Sequence, residues 1–259
     1  MLFHYLPLIH NMKYSLFTSI LILVLLACGS DNDNMPNADV TDDPQNTDPS
    51  FEAFEIDQVV NEITGGYQEL LDRGSMSVGL IKLKSEETSS RSQTTLDEVF
   101  FIYSGQGILT VDGNELEVKE GDAIVVMGNL DSNLSTSDSI TAVLISLKEN
   151  GFVRTNFKRY SRDQTSRLKD GNSNTWNPFM QEPNVSFGLY SLPAIRGGDG
   201  TLFHDWDELN IITAGNSRFT MGGQSVNVKP GTIVFVKEGT GHFFSQIGED
   251  IDIMILWEQ

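Results

Sequence analysis

The chain has 259 residues, enough for two small domains, and its 36 acidic residues outnumber the 17 lysines and arginines. The formal net charge of −19 would repel nucleic acid and anionic membrane surfaces, so we expect no nucleic-acid partner. The same charge disfavours a polyanionic substrate unless a metal or a local cationic site compensates for it.

The first residues are typical of an export signal rather than of a folded domain. Lys13 precedes an apolar run over residues 14–27, which has the length of a signal-peptide hydrophobic region. The run ends Leu25-Leu26-Ala27-Cys28, which resembles the lipobox of bacterial lipoproteins. The resemblance implies that residues 1–28 are a lipoprotein signal peptide and that Cys28 is the lipidation site. An ordinary signal peptide that carries a cysteine is the alternative.

The segment after this cysteine has almost no apolar residues. Residues 29–52 are dominated by Asp, Asn, Pro, Ser and Thr, a composition that predicts a disordered acidic tether. We therefore expect a lipid-anchored protein of the cell envelope, at the outer membrane or on the periplasmic face. Its only contact with the membrane would be the anchor.

The remainder of the chain contains an internal repeat with an offset of 109 to 110 residues. Four features recur in order: 77–80 as 186–189, 97–98 as 207–208, Gly105 as Gly215, and Gly121 as Gly231. One repeat of this length predicts two similar domains rather than a solenoid.

Each copy has the pattern of short β-strands. Residues 99–103, 107–111 and 123–127 are β-branched or aromatic and are bounded by turn residues. Asp112-Gly113 predicts a tight hairpin, and Gly222-Gly223 stands at the same place in the second copy. This regular spacing favours an all-β barrel or sandwich.

Two histidines would remain after removal of the signal peptide, His204 and His242. A metal needs its ligand atoms about 2 Å away. On a straight strand the Cα atoms of His204 and Glu208 would be about 13 Å apart. Both can therefore reach one ion only if the chain turns over residues 205–207.

These residues resemble the two motifs of the cupin superfamily. The matches to the first motif are His204, Glu208 and Gly215, and those to the second are Gly231, Gly239 and His242. Three positions depart from the motifs: Leu202 for the first His, Lys237 for a Pro and Gln246 for an Asn. The resemblance covers about residues 55–259 and implies an all-β protein of two tandem cupin barrels, each a double-stranded β-helix or jelly roll.

We predict an N-terminal barrel over residues 53–150, a connecting segment over 151–180 and a C-terminal barrel over 181–259. The first barrel keeps Glu98 but has Thr94 and Ser132 where the second has its histidines. It is thus expected to be structural or to form a metal-free pocket.

In the second barrel the resemblance implies a divalent metal bound by His204, Glu208 and His242, with iron, manganese, zinc and nickel all open. The alternative is that both histidines are ordinary polar residues of a degenerate barrel. The candidate pocket residues, of which the aromatic ones are mostly expected in the core, are Leu202, Trp206, Phe219, Phe235, Phe244, Gln246 and Trp257. No catalytic residue is identified from the sequence.

Two functions follow from this interpretation. The first is a metal-dependent enzyme that acts on a small molecule. The second is a non-catalytic module of the cell envelope that binds a small molecule or a sugar. Homodimers through barrel edges are a further expectation, although the tandem pair itself can serve as a pseudo-dimer.

Overall fold

Strands form most of the protein and fall into the two groups that the repeat predicts. A computed structural model describes residues 51–92, 94–148, 157–161 and 174–258. The predicted signal peptide, Cys28 and the tether up to residue 50 lie outside these ranges. No helix among the described residues is long and apolar enough to cross a membrane.

The elements follow one another in nearly the same order in both halves. One strand and one short helix come first: β1 (Phe51–Glu55) and α1 (Ile56–Glu62). The next nine strands are β2 (Tyr67–Asp72), β3 (Met76–Leu83), β4 (Thr88–Arg91), β5 (Asp97–Val111), β6 (Asn114–Lys119), β7 (Asp122–Val126), β8 (Ser132–Ser135), β9 (Ile140–Leu147) and β10 (Phe157–Ser161). The second half contains β11 (Thr175–Gln181), β12 (Val185–Leu192), a 3-10 turn (Ala194–Arg196), β13 (Asp207–Ala214), β14 (Ser217–Met221), β15 (Gln224–Val228), β16 (Thr232–Val236), β17 (His242–Ser245) and β18 (Ile251–Glu258).

Each half folds into a barrel of two facing sheets. In the first barrel the large sheet has the order β10-β7-β5-β9-β3-β2, and the second half of β5 crosses to the opposite face to pair with β6 and β8. In the second barrel the large sheet has the order β1-β16-β13-β18-β12-β11, and β15-β14-β17 forms the opposite face. The predicted all-β fold with two tandem jelly-roll barrels is confirmed.

The two barrels exchange one strand with each other. β1 precedes the first barrel but pairs with β16 of the second, with Phe51 opposite Val236. β10 precedes the second barrel but pairs with β7 of the first, with Phe157 opposite Val126. The pairing thus crosses the predicted domain borders, and residues 51 and 52, assigned to the tether from composition, belong to β1.

The predicted hairpins are confirmed. Asp112 and Gly113 have φ angles of 48° and 77°, and Gly222 and Gly223 have φ angles of 53° and 79°. Positive φ at both central residues is the geometry of a two-residue turn that matches the strand twist. The turns join β5 to β6 and β14 to β15.

Alternate residues of the large sheets face two different cores. On β16, Val234 and Val236 point into the second barrel, whereas Ile233 and Phe235 point out of it. The outward side chains of both barrels pack together in a third core, which we call the inter-barrel core. Strands β10 and β11 contribute to this core, since the Tyr160 ring stacks on Phe179 at 5.2 Å between ring centroids.

Candidate metal centre

His204 and Glu208 are separated by the turn that the sequence requires. Asp205 and Trp206 form a bend, and β13 begins directly after it. Both carboxylate oxygens of Asp207 are bonded, since Oδ1 accepts from the Glu238 amide at 3.0 Å and Oδ2 from the Ser75 hydroxyl at 2.6 Å. These bonds hold the first residue of β13 in place, so that the next side chain, Glu208, points into the barrel.

His242 is the first residue of β17 and is held by backbone and side-chain bonds. Its amide donates to the Leu202 carbonyl at 3.1 Å, and the Leu202 amide donates back at 2.8 Å. In the neutral ring, Nδ1 donates to the Thr240 carbonyl at 2.9 Å. This bond selects the tautomer whose Nε2 lone pair is free to bind a metal.

The three predicted ligands converge inside the second barrel. Oε2 of Glu208 lies 3.1 Å from Nε2 of His204 and 3.5 Å from Nε2 of His242. All three donor atoms lie within 4.8 Å of one another. Neither Nε2 atom makes a well-formed hydrogen bond, although both are buried. Two imidazole nitrogens and one carboxylate oxygen around one point fit a divalent metal ion.

Glu208 is buried but remains ionised. Burial alone would raise its pKa, but His204, His242 and the Trp257 indole lower the pKa to about 2. Trp257 Nε1 donates to Oε2 at 2.7 Å, and Asn210 Nδ2 donates to Oε1 at 2.7 Å. Burial lowers the pKa of His242, but Glu208, the Thr240 carbonyl and Asp199 together raise it, so the net change is upward. The carboxylate is thus oriented and available as an anionic ligand.

All three tryptophans of the chain lie beside this cluster. The Trp206 ring stacks on His204 at 5.2 Å with an angle of 10° between the planes, and Trp257 lies 5.6 Å from His204. Trp176 lies 4.5 Å from Trp257. Sequence reasoning named Trp206 and Trp257 but missed Trp176. The repeat could have indicated it, because an aromatic residue, Tyr67, lies at the equivalent position of the first barrel. Tyr67 pairs with Ile81 as Trp176 pairs with Tyr190.

The other candidate pocket residues separate into two groups. Phe219 and Phe244 lie in the barrel interior, with Phe219 5.7 Å from the His242 ring. Phe235 does not line this pocket, because it faces the inter-barrel core. Gln246 does not line it either, since it is exposed directly after β17 with a φ of 53° and lines a separate surface depression with Arg218.

Asp199 is a further acidic side chain near the cluster that the sequence did not indicate. Its Oδ1 accepts from the Phe244 amide at 2.6 Å, and its Oδ2 is buried without a hydrogen-bond partner. Burial raises the pKa of Asp199 to about 6, with the hydrogen bond from the Phe244 amide opposing the rise and Glu208 adding to it. The surrounding Gly197-Gly198 and Gly200 predict only a loop, which is why this residue was missed.

The first barrel neutralises the equivalent carboxylate with a cation of its own. Arg91 Nη2 and Nε lie 2.8 Å and 3.1 Å from Oε1 of Glu98. Glu98 is opposite Ser146 on β9, as Glu208 is opposite Trp257 on β18. Burial raises the pKa of Glu98, and the guanidinium of Arg91 lowers it. A side-chain cation therefore contacts Glu98, whereas two imidazoles contact the equivalent carboxylate in the second barrel.

Two family models match the chain, one in each barrel. Residues 79–147 match the Cupin domain, and residues 200–257 match the AraC-like ligand binding domain. An uncharacterized protein from Streptomyces coelicolor is 29% identical over 100 residues, which cover 39% of this chain and 94% of that protein.

Solved structures of the same fold cover both barrels. A Cupin 2 conserved barrel domain protein from Leptotrichia buccalis superposes with a TM-score of 0.65 at 14% identity, over 80% of this chain and 96% of that chain. Salicylate 1,2-dioxygenase from Pseudaminobacter salicylatoxidans gives 0.67 at 12% identity, over 80% and 84%. Protein YlbA from E. coli gives 0.66 at 12% identity, over 81% and 91%. Identities this low establish the fold alone, and that fold is a cupin with two barrels.

Replacing Arg91 by Met should destabilise the protein by about 3 kcal/mol at pH 7, because Glu98 would remain buried without a cation. The pKa of Glu98 in the folded state already lies above its ordinary value, and without Arg91 it rises further. The loss of stability should therefore shrink as the pH falls towards about 4. Urea denaturation at both pH values measures the effect.

Two further variants complete this experiment. Arg91→Met combined with Glu98→Gln should recover most of the lost stability, since no buried charge remains. Lys148→Met breaks the exposed ion pair with Asp72 and should cost no more than about 1 kcal/mol. Equal losses for Arg91→Met and Lys148→Met would show that Glu98 does not depend on Arg91.

Proposed function

We propose that the second barrel binds one divalent metal ion through His204, Glu208 and His242 and acts as a metal-dependent enzyme on a small molecule. The observation that carries this proposal is the convergence of two imidazole nitrogens, neither of which makes a well-formed hydrogen bond, on one ionised carboxylate in a barrel interior. A purely structural cluster would be expected to satisfy these buried nitrogens with hydrogen bonds.

The bound ion would supply a Lewis acid with coordination positions left open for substrate or solvent. The chain itself keeps these positions open, because Leu202 stands where the cupin motif has another histidine. Trp257 and Asn210 hold the carboxylate of Glu208 in one orientation. His204 is the most accessible ligand, with 17% of its side chain exposed against 2% for His242. Substrate would thus approach from the His204 side.

The surroundings of the ligands favour a small, flat molecule that carries polar groups. The indoles of Trp206 and Trp257 offer apolar faces beside His204. Nε1 of Trp206 is a buried donor without a partner, and Oδ2 of Asp199 is a buried acceptor without one. A substrate that accepts from the first or donates to the second would remove a desolvation cost. A salicylate 1,2-dioxygenase of the same fold has been solved in adducts with gentisate, a molecule of this shape.

The second candidate function is a non-catalytic module that binds a small molecule or a sugar. The observation that favours it is the match of residues 200–257 to a ligand binding domain. The ion pair of Arg91 with Glu98 supports the same view for the first barrel, where it takes the place of a metal-ligand set. In this alternative the aromatic walls of the second barrel would bind the ligand without turnover.

Metal titration of the purified chain tests the site. We expect one ion per chain among Fe²⁺, Mn²⁺, Zn²⁺ and Ni²⁺, and a change in tryptophan fluorescence, because all three tryptophans lie at the site. His204→Ala and His242→Ala should each weaken binding at least about 100-fold, since even changes outside the ligand set cost 10- to 100-fold. Asp205→Asn, an exposed neighbour, is the matched control and should bind normally.

Absence of a bound ion in the wild type, or equal affinity in the histidine variants, would contradict the proposal. A screen of small planar molecules with the metal-loaded chain then separates the two functions. Turnover that is lost in His204→Ala supports an enzyme, and saturable binding without turnover supports a binding module.

We also propose that the protein is anchored to the cell envelope through a lipid on Cys28, as the lipobox-like sequence indicates. The wild-type chain should fractionate with membranes and partition into the detergent phase of a Triton X-114 extract. Cys28→Ser should move to the soluble fraction or remain unprocessed. Equal partition of the wild type and Cys28→Ser would show that no lipid is attached there.

A further inference from the structure

A cavity of about 330 Å³ lies between the two barrels, apart from the candidate metal centre. Residues of both barrels and of α1 line it. Its volume is at the lower end of the range of roughly 300–1,000 Å³ that is usual for ligand pockets.

The cavity arises from one difference between the repeats. Tyr103 and Thr213 occupy equivalent β-bulges, after Ile102 on β5 and after Ile212 on β13. The Tyr103 phenol covers Gly231, since a Cβ at that glycine would lie 2.5 Å from the Tyr103 hydroxyl. Thr213 has no ring with which to cover the equivalent Gly121, and both of these residues line the cavity. The space that Tyr103 fills beside Gly231 is thus left open beside Gly121.

Part of the cavity wall is apolar and buried. Phe101, Leu189 and Met254 line it and are only 3–4% exposed. Water against such a surface gives up hydrogen bonds, so an apolar group is the better occupant. These three side chains therefore favour a ligand with a hydrocarbon body.

The charged groups that line the cavity are acidic. Asp57 and Glu120 line it, and no lysine or arginine does so among the described residues. Neither carboxylate has an ion-pair partner in the described part of the chain, and Asp57 accepts one hydrogen bond, from the Tyr103 hydroxyl at 3.2 Å. Burial raises the pKa of Tyr103 to about 12, and the charges of Asp57, Glu55 and Glu120 contribute to the rise. The phenol consequently stays neutral, and the local potential is negative.

We infer that this inter-barrel cavity binds a small organic cation, an amine carried on an apolar body. The hydrocarbon part would contact Phe101, Leu189 and Met254, and the ammonium group would lie between Asp57 and Glu120. The aromatic rings of Phe101 and Tyr103 add attraction for a cation. Because the acidic groups come from α1 and the first barrel, the ligand would bind in one orientation. The inference does not depend on the metal centre.

A matched set of three probes tests this site by NMR titration of the full chain: 2-phenylethylamine, 2-phenylethanol and 3-phenylpropionate. The amine should bind saturably at pH 7, and the alcohol about five- to tenfold more weakly, since it lacks the charge. The carboxylate should bind least. Equal affinities of the amine and the alcohol, or no saturation by the amine at millimolar concentrations, would overturn the inference.

Variants of the lining residues locate the site. Asp57→Asn with Glu120→Gln should reduce amine affinity to that of the alcohol, whereas Glu115→Gln with Glu117→Gln, the same charge change on β6, should not. Thr213→Tyr should fill the cavity and abolish binding of both probes. If Thr213→Tyr does not fold, the comparison of the two double variants still decides. Amine affinity that is unchanged by both cavity variants would overturn the inference.

One further variant separates this site from the candidate metal centre. His204→Ala should bind the amine normally, so that failure of the metal centre and failure of this site are distinguishable.

Discussion

A carboxylate in the interior of a β-barrel must be compensated, because an isolated buried charge costs more than a domain of this size can tolerate. Both barrels carry such a group at the equivalent place, Glu98 and Glu208, each about 2% exposed. The first barrel compensates with the guanidinium of Arg91. The second uses two imidazoles and an indole, and neither imidazole Nε2 makes a well-formed hydrogen bond, although both lie within 3.5 Å of the carboxylate. The two barrel interiors therefore differ in the groups that contact the buried carboxylate.

The edge segment of each barrel determines which groups reach the buried carboxylate. In the first barrel β4 is regular and pairs with β8, which brings Arg91 to the carboxylate. In the second barrel the equivalent segment makes only isolated bridges to β17, at Gly198 and Leu202. This irregular path carries Asp199 and His204 towards Glu208. A loss of regular pairing at one edge thus accompanies the gain of a candidate metal site.

The repeat and the hairpins could be predicted because they depend on local spacing, whereas the candidate ligand set was implied by the resemblance to the cupin motifs. Asp112-Gly113 specifies its turn through φ, and a turn between His204 and Glu208 is required if both side chains are to reach one ion. The strand exchange could not be predicted, since the pairing of β1 with β16 joins residues far apart in the chain. Phe235 was misassigned because all five residues of β16 are apolar or buried, so alternation does not show which face it occupies. Asp199 lies in a glycine-rich loop whose path depends on tertiary contacts.

The exchanged strands and the inter-barrel core make the tandem pair a single unit. Each large sheet ends in a strand that precedes the other barrel, and Phe187 and Tyr160 pack in the core between them. The first barrel thus contributes to the structure of the second, even though its own interior carboxylate, Glu98, is paired with Arg91. Ser75 of the first barrel bonds Asp207, the residue before the candidate ligand Glu208. Support for the candidate metal centre therefore extends across the interface.

X-ray absorption at the zinc edge of the zinc-loaded chain tests the central claim most directly. The account predicts two imidazole ligands at about 2.0–2.1 Å, one carboxylate oxygen, and only solvent oxygen besides these. In His242→Ala the imidazole scattering should fall to that of one ring. A spectrum without imidazole scattering, or one that His242→Ala leaves unchanged, would contradict the account.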